Sequence, residues 1–441
     1  MHELQSVVAI VGRPNVGKST LFNRLVKRRK AIVGDRPGVT VDRLEATWST
    51  SDRTMILVDT GGIGEPFRQD VQDGIETQVN AALAVADLVL FVVDGITGTA
   101  TGDYAIASQL RRQGIPLILV VNKAERQDVA ADFYALGIGE PLAVSAAHGL
   151  GIKELTQRVE ALVPVQQEQQ TDQPILARVA LIGRPNVGKS TLVNAWLGED
   201  RMVVSPVAGT TRDAVDSDLP CSKGVVRLID TAGQRKKGRI QDNIEFVSLL
   251  KARQALARAE VAILLLDGVE GIVEQDIRLM DLISSDGRAL VVAVNKADLL
   301  SKQQWSDYLE RLSFRMRAMQ SIPVLKVSAK YGEGIRKLLN EGIRSAGMNK
   351  FETGTGELNR WLQQAQQAQA APGINGKPVR LKYCAQVSTL PPTFKIFCNH
   401  PRALKQNYIR YLEQDFRSKF RLAGVPVRFR FTSSANPYVE S

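Results

Sequence analysis

Two segments of the chain have the residue types and spacing of a phosphate-binding loop. Both read G-R-P-N-V-G-K-S and fit the pattern G-x-x-x-x-G-K-[ST]. The glycines let backbone N–H groups converge on phosphate oxygens, the lysine offers a charge to the β- and γ-phosphates, and the serine hydroxyl suits Mg²⁺. The first segment comprises Gly12, Arg13, Pro14, Asn15, Val16, Gly17, Lys18 and Ser19, and the second comprises Gly183, Arg184, Pro185, Asn186, Val187, Gly188, Lys189 and Ser190.

The two loops belong to a long internal repeat. Residues 12–21 and 183–192 share the same ten letters, GRPNVGKSTL. Further motifs recur at the same or nearly the same offset, so the repeat indicates a duplicated domain and not a short solenoid unit. Two copies in the same context also argue against a glycine-rich turn without function.

A second motif, D-x-x-G, follows each loop at the end of an apolar run. Its aspartate can hold a Mg²⁺-bound water, and its glycine lets a backbone amide approach the γ-phosphate. It comprises Asp59, Thr60, Gly61 and Gly62 in the first copy and Asp230, Thr231, Ala232 and Gly233 in the second.

A third motif indicates which base is bound. The carboxylate of Asp298 can accept both N1–H and N2–H₂ of guanine, a donor pair that adenine lacks. The second copy supplies Asn295, Lys296, Ala297, Asp298, Ser328 and Ala329, and the first supplies Asn122, Lys123, Ala124, Glu125, Ser145 and Ala146. Glu125 keeps the carboxylate but adds a methylene, so we expect guanine selectivity there with altered affinity. An ATPase or kinase remains an alternative, which requires ATP to compete with GTP at equal concentration.

These motifs need strands and helices to position them. In each copy five short apolar runs alternate with helical segments, a pattern typical of a mainly parallel sheet with helices on both faces. The runs are Val7–Val11, Thr54–Val58, Leu88–Val93, Leu117–Val121 and Leu142–Val144, then Val179–Ile182, Val225–Ile229, Val261–Leu266, Ala289–Val294 and Pro323–Val327. The sequence predicts domains at 1–163 and 175–350, a polar linker at 164–174 and a further domain at 351–441.

The composition favours a globular protein with a polyanionic partner. Of 441 residues, 44% are hydrophobic and 23% charged, and the net charge is +11. The second copy carries +7 and residues 351–441 carry +8. Three widely spaced cysteines argue against a disulfide scaffold or zinc site. We expect a cytoplasmic protein, because no signal-peptide pattern or membrane-length apolar run occurs.

The last 91 residues predict a helix, two strands, a helix and a strand. The helices are predicted at 357–369 and 402–422 and the first two strands at 379–387 and 393–398. In the final strand, alternation places Val427, Phe429 and Phe431 on one face and leaves Arg428 and Arg430 free on the other. A G-x-x-G at 373–376 matches the RNA clamp of KH domains, although a turn alone explains it. RNA binding by the basic surface as a whole is the favoured interpretation.

These features resemble the bacterial Der (EngA) family of P-loop GTPases. Besides the paired motifs, the tail resembles that family's C-terminal signature at 380–383, 391–394, 397–399 and 436–438. The resemblance implies an α/β fold with two tandem GTPase (G) domains and a C-terminal α+β KH-like domain. It also implies GTP hydrolysis with Mg²⁺, a role in maturation of the large ribosomal subunit, rRNA contact, and Thr40 and Thr211 as switch threonines. Thr210 is an alternative to Thr211, although Val39 occupies its place in the first copy.

The sequence leaves the route of hydrolysis open. Ile63 stands where many GTPases place a water-orienting glutamine. In related cation-dependent GTPases a P-loop asparagine ligates K⁺, and Asn15 and Asn186 match it, so we expect K⁺-stimulated hydrolysis. The alternative is that both asparagines only brace the loop. In the second copy Gln234 either orients water or points elsewhere, and the basic cluster at 235–239 is either a phosphate contact or a solvated charge run.

The leading hypothesis is a monomeric GTP-hydrolysing factor that binds pre-ribosomal particles. Its catalytic candidates are Lys18, Thr40, Asn15, Lys189, Thr211 and Asn186, and its metal candidates are Ser19, Thr40, Asp59, Ser190, Thr211 and Asp230. The rival is an RNA-binding scaffold in which one nucleotide site, the first because of Glu125, is only structural.

Overall fold

The structure is a computed structural model. It describes residues 6–27, 45–50, 53–60, 86–125, 127–163, 173–199, 216–229, 244–315, 322–371, 373 and 379–433. The chain forms two compact units, residues 1–170 with 238–258 and residues 171–237 with 259–441. The domain boundaries predicted from the sequence remain predictions.

The first copy forms a six-stranded sheet. Its strands are β1 (Val7–Val11), β2 (Glu45–Ser49), β3 (Thr54–Asp59), β4 (Leu88–Asp94), β5 (Leu117–Asn122) and β6 (Pro141–Ala143). Its helices are α1 (Lys18–Lys27), α2 (Thr101–Gln113), a 3₁₀ helix at Gln127–Leu136, and α3 (Ile152–Leu162). The strand order is β2-β3-β1-β4-β5-β6, and every pairing is parallel except that of β2 with β3.

Buried strands explain why the apolar runs show no polar alternation. Along β1, Val8 and Ile10 pack in the core that includes α1 and α3, whereas Ala9 and Val11 pack in the core that includes α2. All five β1 side chains are buried, as expected for a strand covered on both faces. The sheet thereby holds the loop after β1 at its carboxyl edge.

The second copy repeats this topology. Its strands are β7 (Ile175–Ile182), β8 (Ser217–Cys221), β9 (Gly224–Ile229), β10 (Val261–Asp267), β11 (Ala289–Asn295) and β12 (Val324–Lys326), in the order β12-β11-β10-β7-β9-β8. Its helices are α4 (Lys189–Glu199), α5 (Ile244–Arg258), α6 (Glu274–Asp286), a 3₁₀ turn at Ala297–Leu299, α7 (Lys302–Arg315) and α8 (Ile335–Met348). The predicted α/β fold with mainly parallel sheets is confirmed.

Helix α5 belongs to the first compact unit although it lies in the second repeat of the sequence. Leu250 is buried with Val7, Ile56 and Val58 on the first sheet, and Arg253 forms an ion pair with Glu45. The sequence repeat alone does not predict that a helix of the second copy packs in the first unit.

The tail forms a three-stranded sheet with two helices. The elements are α9 (Thr355–Ala368), β13 (Leu381–Thr389), β14 (Pro392–Cys398), a 3₁₀ turn at Pro401–Ala403, α10 (Gln406–Phe420) and β15 (Arg428–Ser433). The pairing of β13 with β14 is antiparallel and that of β14 with β15 is parallel. The predicted order is confirmed, and Tyr408, Leu412 and Phe416 of α10 are core residues.

The tail and the second G domain share one apolar core. A single cluster of buried side chains runs from Val179 and Ile263 of the second sheet to Leu358, Trp361 and others in the tail. Backbone contacts support it, since the amide of Leu290 donates to the carbonyl of Gly424 at 2.8 Å. One expectation is wrong here: Arg428 is not free, because its guanidinium donates to the carbonyl oxygen of Ser285.

Within the described residues, no helix is both long enough and apolar enough to cross a membrane.

Candidate functional site: two nucleotide cradles

The phosphate-binding loop of each copy is closed by its own lysine. Lys18 begins α1, and its Nζ donates to the carbonyl oxygens of Gly12 and Arg13, both at 2.8 Å. Lys189 makes the same bonds to Gly183 at 2.7 Å and Arg184 at 2.6 Å. Burial lowers the pKa of both ammonium groups, that of Lys189 to about 8. Each ammonium is therefore poorly solvated where a phosphate would lie, and an anion would favour its charged form.

Glycine is required at the second glycine position of each loop. Gly17 has φ +93°, and a Cβ there would lie 2.3 Å from the side-chain nitrogen of Asn122. Gly188 has φ +102°, and its Cβ would lie 2.2 Å from the same atom of Asn295. An L side chain would thus be strained in its backbone and would collide with the asparagine that ends β5 or β11.

The asparagine of the base motif connects two loops. Asn122 Nδ2 donates to the carbonyl of Val16 at 2.9 Å, and its Oδ1 accepts the amide of Ala146 at 3.0 Å. Asn295 bridges the carbonyl of Val187 at 2.8 Å and the amide of Ala329 at 2.9 Å. Both asparagines are buried. Their predicted position in the site is therefore that of a clamp between the phosphate loop and the base motif.

The lysine of the base motif contacts an aspartate that the sequence analysis missed. Lys123 Nζ donates to Asp94 Oδ2 at 2.6 Å and to the carbonyl of Asn15 at 2.8 Å. In the second copy Lys296 forms an ion pair with Asp267. Burial opposes the charge of both aspartates, but the lysine and two backbone amides hold their pKa below the usual value. The repeated Asp-Gly at 94–95 and 267–268 was the signal that could have found them.

A second missed pair ties each loop to the following helix. Arg13 Nε donates to Asp103 Oδ1 at 2.8 Å, and Arg184 Nε donates to Asp276 Oδ1 at 2.9 Å. Both aspartates are fully buried and also accept the backbone amide before their helix, from Ala100 and Val273. The arginines of the G-R-P-N motif thus orient the loop from outside the phosphate cavity.

In the first copy, an open cavity of about 280 Å³ lies between the phosphate loop and the residues of the base motif. Glu125, Ser145 and His148 contribute to its lining, and Glu125 is 72% exposed. His148 Nε2 lies 3.6 Å from Glu125 Oε1. In the second copy Asp298 is also exposed, and the buried hydroxyl of Ser328 has no hydrogen-bond partner among the described residues. Both carboxylates are accessible to a base.

The metal candidates that the structure describes lie together in the first copy. Ser19 Oγ donates to Asp59 Oδ2 at 2.7 Å, where the start of α1 meets the end of β3. A hydroxyl and a carboxylate are oxygen ligands that fit Mg²⁺. The described residues contain no group of three His, Cys, Asp or Glu side chains that could hold a metal.

The asparagines predicted to bind K⁺ occupy a special backbone conformation. Asn15 and Asn186 have φ of 65° and 64°, a left-handed region that asparagine tolerates better than most residues. Both are exposed, and neither side chain hydrogen-bonds to another described residue.

Of the remaining predicted site residues, the structure describes some and not others. Thr60 is buried and its hydroxyl donates to the carbonyl of Ile10 at 2.7 Å, so it braces β1. Thr40, Gly61, Gly62, Ile63, Thr211, Asp230, Thr231, Ala232, Gly233, Gln234, the cluster at 235–239 and most of the G-x-x-G at 373–376 lie outside the described residues.

Two family models match three segments of the chain. A family model described as 50S ribosome-binding GTPase matches residues 7–123 and again 178–296. A second model, KH-domain-like of EngA bacterial GTPase enzymes, C-terminal, matches residues 353–432.

Curated relatives cover nearly the whole chain. GTPase Der of Desulforudis audaxviator is 44% identical over 96% of this chain and 98% of its own length. GTPase Der of Caldanaerobacter subterraneus is 42% identical over 96% and 97%. Among solved structures, translation elongation factor SelB from Methanococcus maripaludis matches at a TM-score of 0.32 and 17% identity, over 42% of this chain and 36% of its own. Two cradles of one design, followed by a KH-like domain, accordingly make this chain a member of the Der (EngA) family of P-loop GTPases, enzymes that hydrolyse GTP.

Proposed function

We propose that the chain binds and hydrolyses GTP at both sites and that the nucleotide controls its association with the large ribosomal subunit during assembly. We propose further that it acts in the cytoplasm as a monomer. The observation that carries the proposal is the asparagine clamp, Asn122 or Asn295, built the same way in both copies. The clamp supports the proposal because it holds the phosphate loop and the base motif together in both copies, as the binding of one nucleotide by both motifs requires.

The roles of the site residues follow from their positions. Lys18 and Lys189 neutralise the β- and γ-phosphates, and backbone amides of the two loops surround them. Glu125 and Asp298 accept the guanine donors. Ser19, Asp59 and Thr40 would hold Mg²⁺ in the first site, and Ser190, Asp230 and Thr211 would hold it in the second. The ion, when bound, would supply positive charge to the phosphates.

Apart from the metal ion, the groups that act on the phosphates are those of the chain. The loop amides and the lysine ammonium are already oriented before GTP arrives, so charge that develops on the phosphates meets fixed donors. Arg13 and Arg184 hold the loops through buried Asp103 and Asp276. Hydrolysis removes the γ-phosphate and frees the switch threonines, which is how such domains change partners.

We propose that K⁺ accelerates hydrolysis through Asn15 and Asn186. Their exposed side chains, without bonds to described residues, support a ligand role over a bracing role. Steady-state GTP turnover measured in KCl and in NaCl at equal ionic strength tests this. We expect faster turnover in KCl, lost in the Asn15→Ala, Asn186→Ala double variant; equal rates in the two salts would overturn it.

Ribosome association is supported by the description of the matching family model, 50S ribosome-binding GTPase. The net charge of +8 over residues 351–441 also suits an rRNA partner. Sedimentation of the chain with large subunits, in GDP and in a non-hydrolysable GTP analogue, is the test. We expect co-sedimentation with the analogue and release with GDP, and equal sedimentation in both states would contradict the switch.

The rival scaffold hypothesis is tested at each site separately. GTP turnover of Lys18→Ala and Lys189→Ala variants shows whether both sites hydrolyse. If Lys18→Ala has no effect on either turnover or ribosome association, the first site is structural and the two-site proposal is wrong.

A further inference from the structure

The three-stranded sheet of the tail has two unlike faces. Its inner face packs against α9 and α10 through buried side chains that include Cys384, Phe394 and Ile396. The outer face is formed by the alternate residues of the same strands. It carries Tyr383 and Ala385 from β13, Lys395 and Phe397 from β14, and Arg430 from β15.

Two aromatic rings lie side by side on this outer face. Tyr383 and Phe397 are register partners on neighbouring strands, with ring centroids 6.1 Å apart. Tyr383 is 44% exposed and Phe397 is half-buried. The core does not need these rings, because Trp361, Phe394 and Phe416 already fill it on the other side. A solvated sheet face usually carries polar side chains, so two adjacent aromatic rings, one exposed and one half-buried, form an unusual apolar surface on this face.

Positive charge surrounds the two rings. Lys395 Nζ lies 5.1 Å from the centroid of the Phe397 ring, and Arg430 is the register partner of Lys395 on the next strand. Strands β13, β14 and β15 contain two lysines, two arginines and no acidic residue. Arg428 marks the end of this surface, because it contacts Ser285 of the second G domain. Aromatic rings that lie among lysine and arginine side chains, on strands without acidic residues, suit a ligand in which planar bases are joined to phosphates.

We propose that the outer face of the tail sheet, comprising Tyr383, Lys395, Phe397 and Arg430, binds single-stranded RNA. Unpaired bases stack on the two rings, and the lysine and arginine neutralise the phosphates on either side. Paired bases present only their edges, so the rings select single strands. The inference deepens the ribosome-binding function proposed above and rests on it, since it names the part of an RNA that the tail would take.

The test is fluorescence anisotropy of the full-length chain with a labelled unstructured RNA of about 10 nucleotides. We expect Tyr383→Ala and Phe397→Ala each to weaken binding about 5- to 100-fold, with the salt dependence unchanged, because a stacked base is lost and no phosphate contact is. Tyr383→Phe should bind like the wild type. Lys395→Ala should reduce the slope of log affinity against log salt by about 0.7, the value for one phosphate on a single strand.

Two controls separate stacking from other effects. Val387→Ala changes an exposed residue of the same strand, and Phe314→Ala removes an exposed aromatic ring of α7; both should leave affinity unchanged. Retention of GTP turnover and of the thermal transition shows that each variant is folded.

The possible failures are distinguishable. If the wild type binds the single strand but Tyr383→Ala and Phe397→Ala bind equally well, the stacking surface is wrong and ribosome association is untouched. Equal affinity for a duplex of the same sequence would overturn the inference in the same way. If the wild type binds no RNA yet co-sediments with large subunits, the inference fails alone; if it does neither, the proposed function fails as well.

Discussion

The side-chain amide of Asn122 lies 2.9 Å from the carbonyl oxygen of Val16, so the first residue of the base motif is bonded directly to the phosphate loop. The same bond joins Asn295 to Val187 at 2.8 Å. Base and phosphate recognition are thus parts of one hydrogen-bonded assembly in each copy. Breaking this bond should lower nucleotide affinity, even though both polar atoms of the asparagine side chain are hydrogen-bonded to the protein.

Asn122→Asp tests that link. Aspartate cannot donate to the buried carbonyl of Val16 and places a negative charge near the phosphates. A buried acceptor left without its partner costs about 1–3 kcal/mol, so GDP affinity at the first site should fall about 5- to 150-fold. Titration with a fluorescent GDP analogue in a Lys189→Ala chain isolates that site. Asn23→Asp, the same change at an exposed position of α1, should be neutral; equal affinity in the two variants would refute the clamp.

Gly17→Ala should also remove nucleotide binding at the first site. The new Cβ would lie 2.3 Å from Asn122 Nδ2 at a φ of +93°, so either the clamp or the loop must move. Left-handed strain alone costs about 1–3 kcal/mol. Gly356→Ala is the matched control, because a Cβ there meets nothing within 4 Å. Calorimetric titration of GDP and thermal unfolding of both variants give the comparison, and full binding by Gly17→Ala would contradict the geometry.

The second site should lose affinity as pH rises. Burial lowers the pKa of Lys189 to about 8, and a bound phosphate raises it again. Above pH 8 the free lysine is neutral and must take up a proton on binding, whereas below pH 7 it is already charged. GDP affinity in a Lys18→Ala chain should therefore fall roughly tenfold between pH 7 and pH 9.

Lys189→Arg provides the control for this pH dependence. Arginine keeps its charge throughout the range, so the decline should disappear, and titration of guanine itself cancels in the comparison. An equal decline in both proteins would mean that Lys189 does not cause it.

Glu125→Gln and Asp298→Asn should each remove guanine selectivity at their own site. Each change replaces an acceptor pair by one acceptor and one donor, which opposes the N2–H₂ group of guanine. Hydrogen bonds to charged groups contribute about 1.5–3 kcal/mol, so GDP affinity should fall about 10- to 150-fold while xanthosine diphosphate, with a carbonyl at that position, binds better. Competition titrations measure both. Unchanged GDP affinity in Glu125→Gln would show that the longer side chain does not read the base.

The sequence predicted the parts of the fold that are buried on both faces. All ten apolar runs coincide with strands, and eight of these strands are buried along nearly the whole run, which removes the need for polar alternation. The short edge strands β6 and β12 are only partly buried. Strands β2 and β8 were missed, since each is an antiparallel edge strand, half-exposed and polar, and β8 even contains Pro220. Arg428 was misjudged because strand alternation gives a face but says nothing of what covers it.

The site was predictable where one motif carries the chemistry and unpredictable where two distant segments meet. Lys18, Asn122 and Glu125 came from short patterns. The partners Asp94 and Asp103 lie in segments without a phosphate or base motif of their own, and only the fold brings them to Lys123 and Arg13. The repeat held that information, since each partner recurs in the second copy.

The shared core of the tail and the second G domain has a consequence for cutting the chain. The cluster of buried side chains that contains Val179 and Ile263 also contains Trp361 and Phe416. Removing the residues beyond α8 would expose apolar side chains of the second G domain that the tail now covers. The fragment would therefore tend to aggregate. An exchange of tails between relatives is constrained in the same way, because a new tail must pack against the apolar side chains of the second G domain.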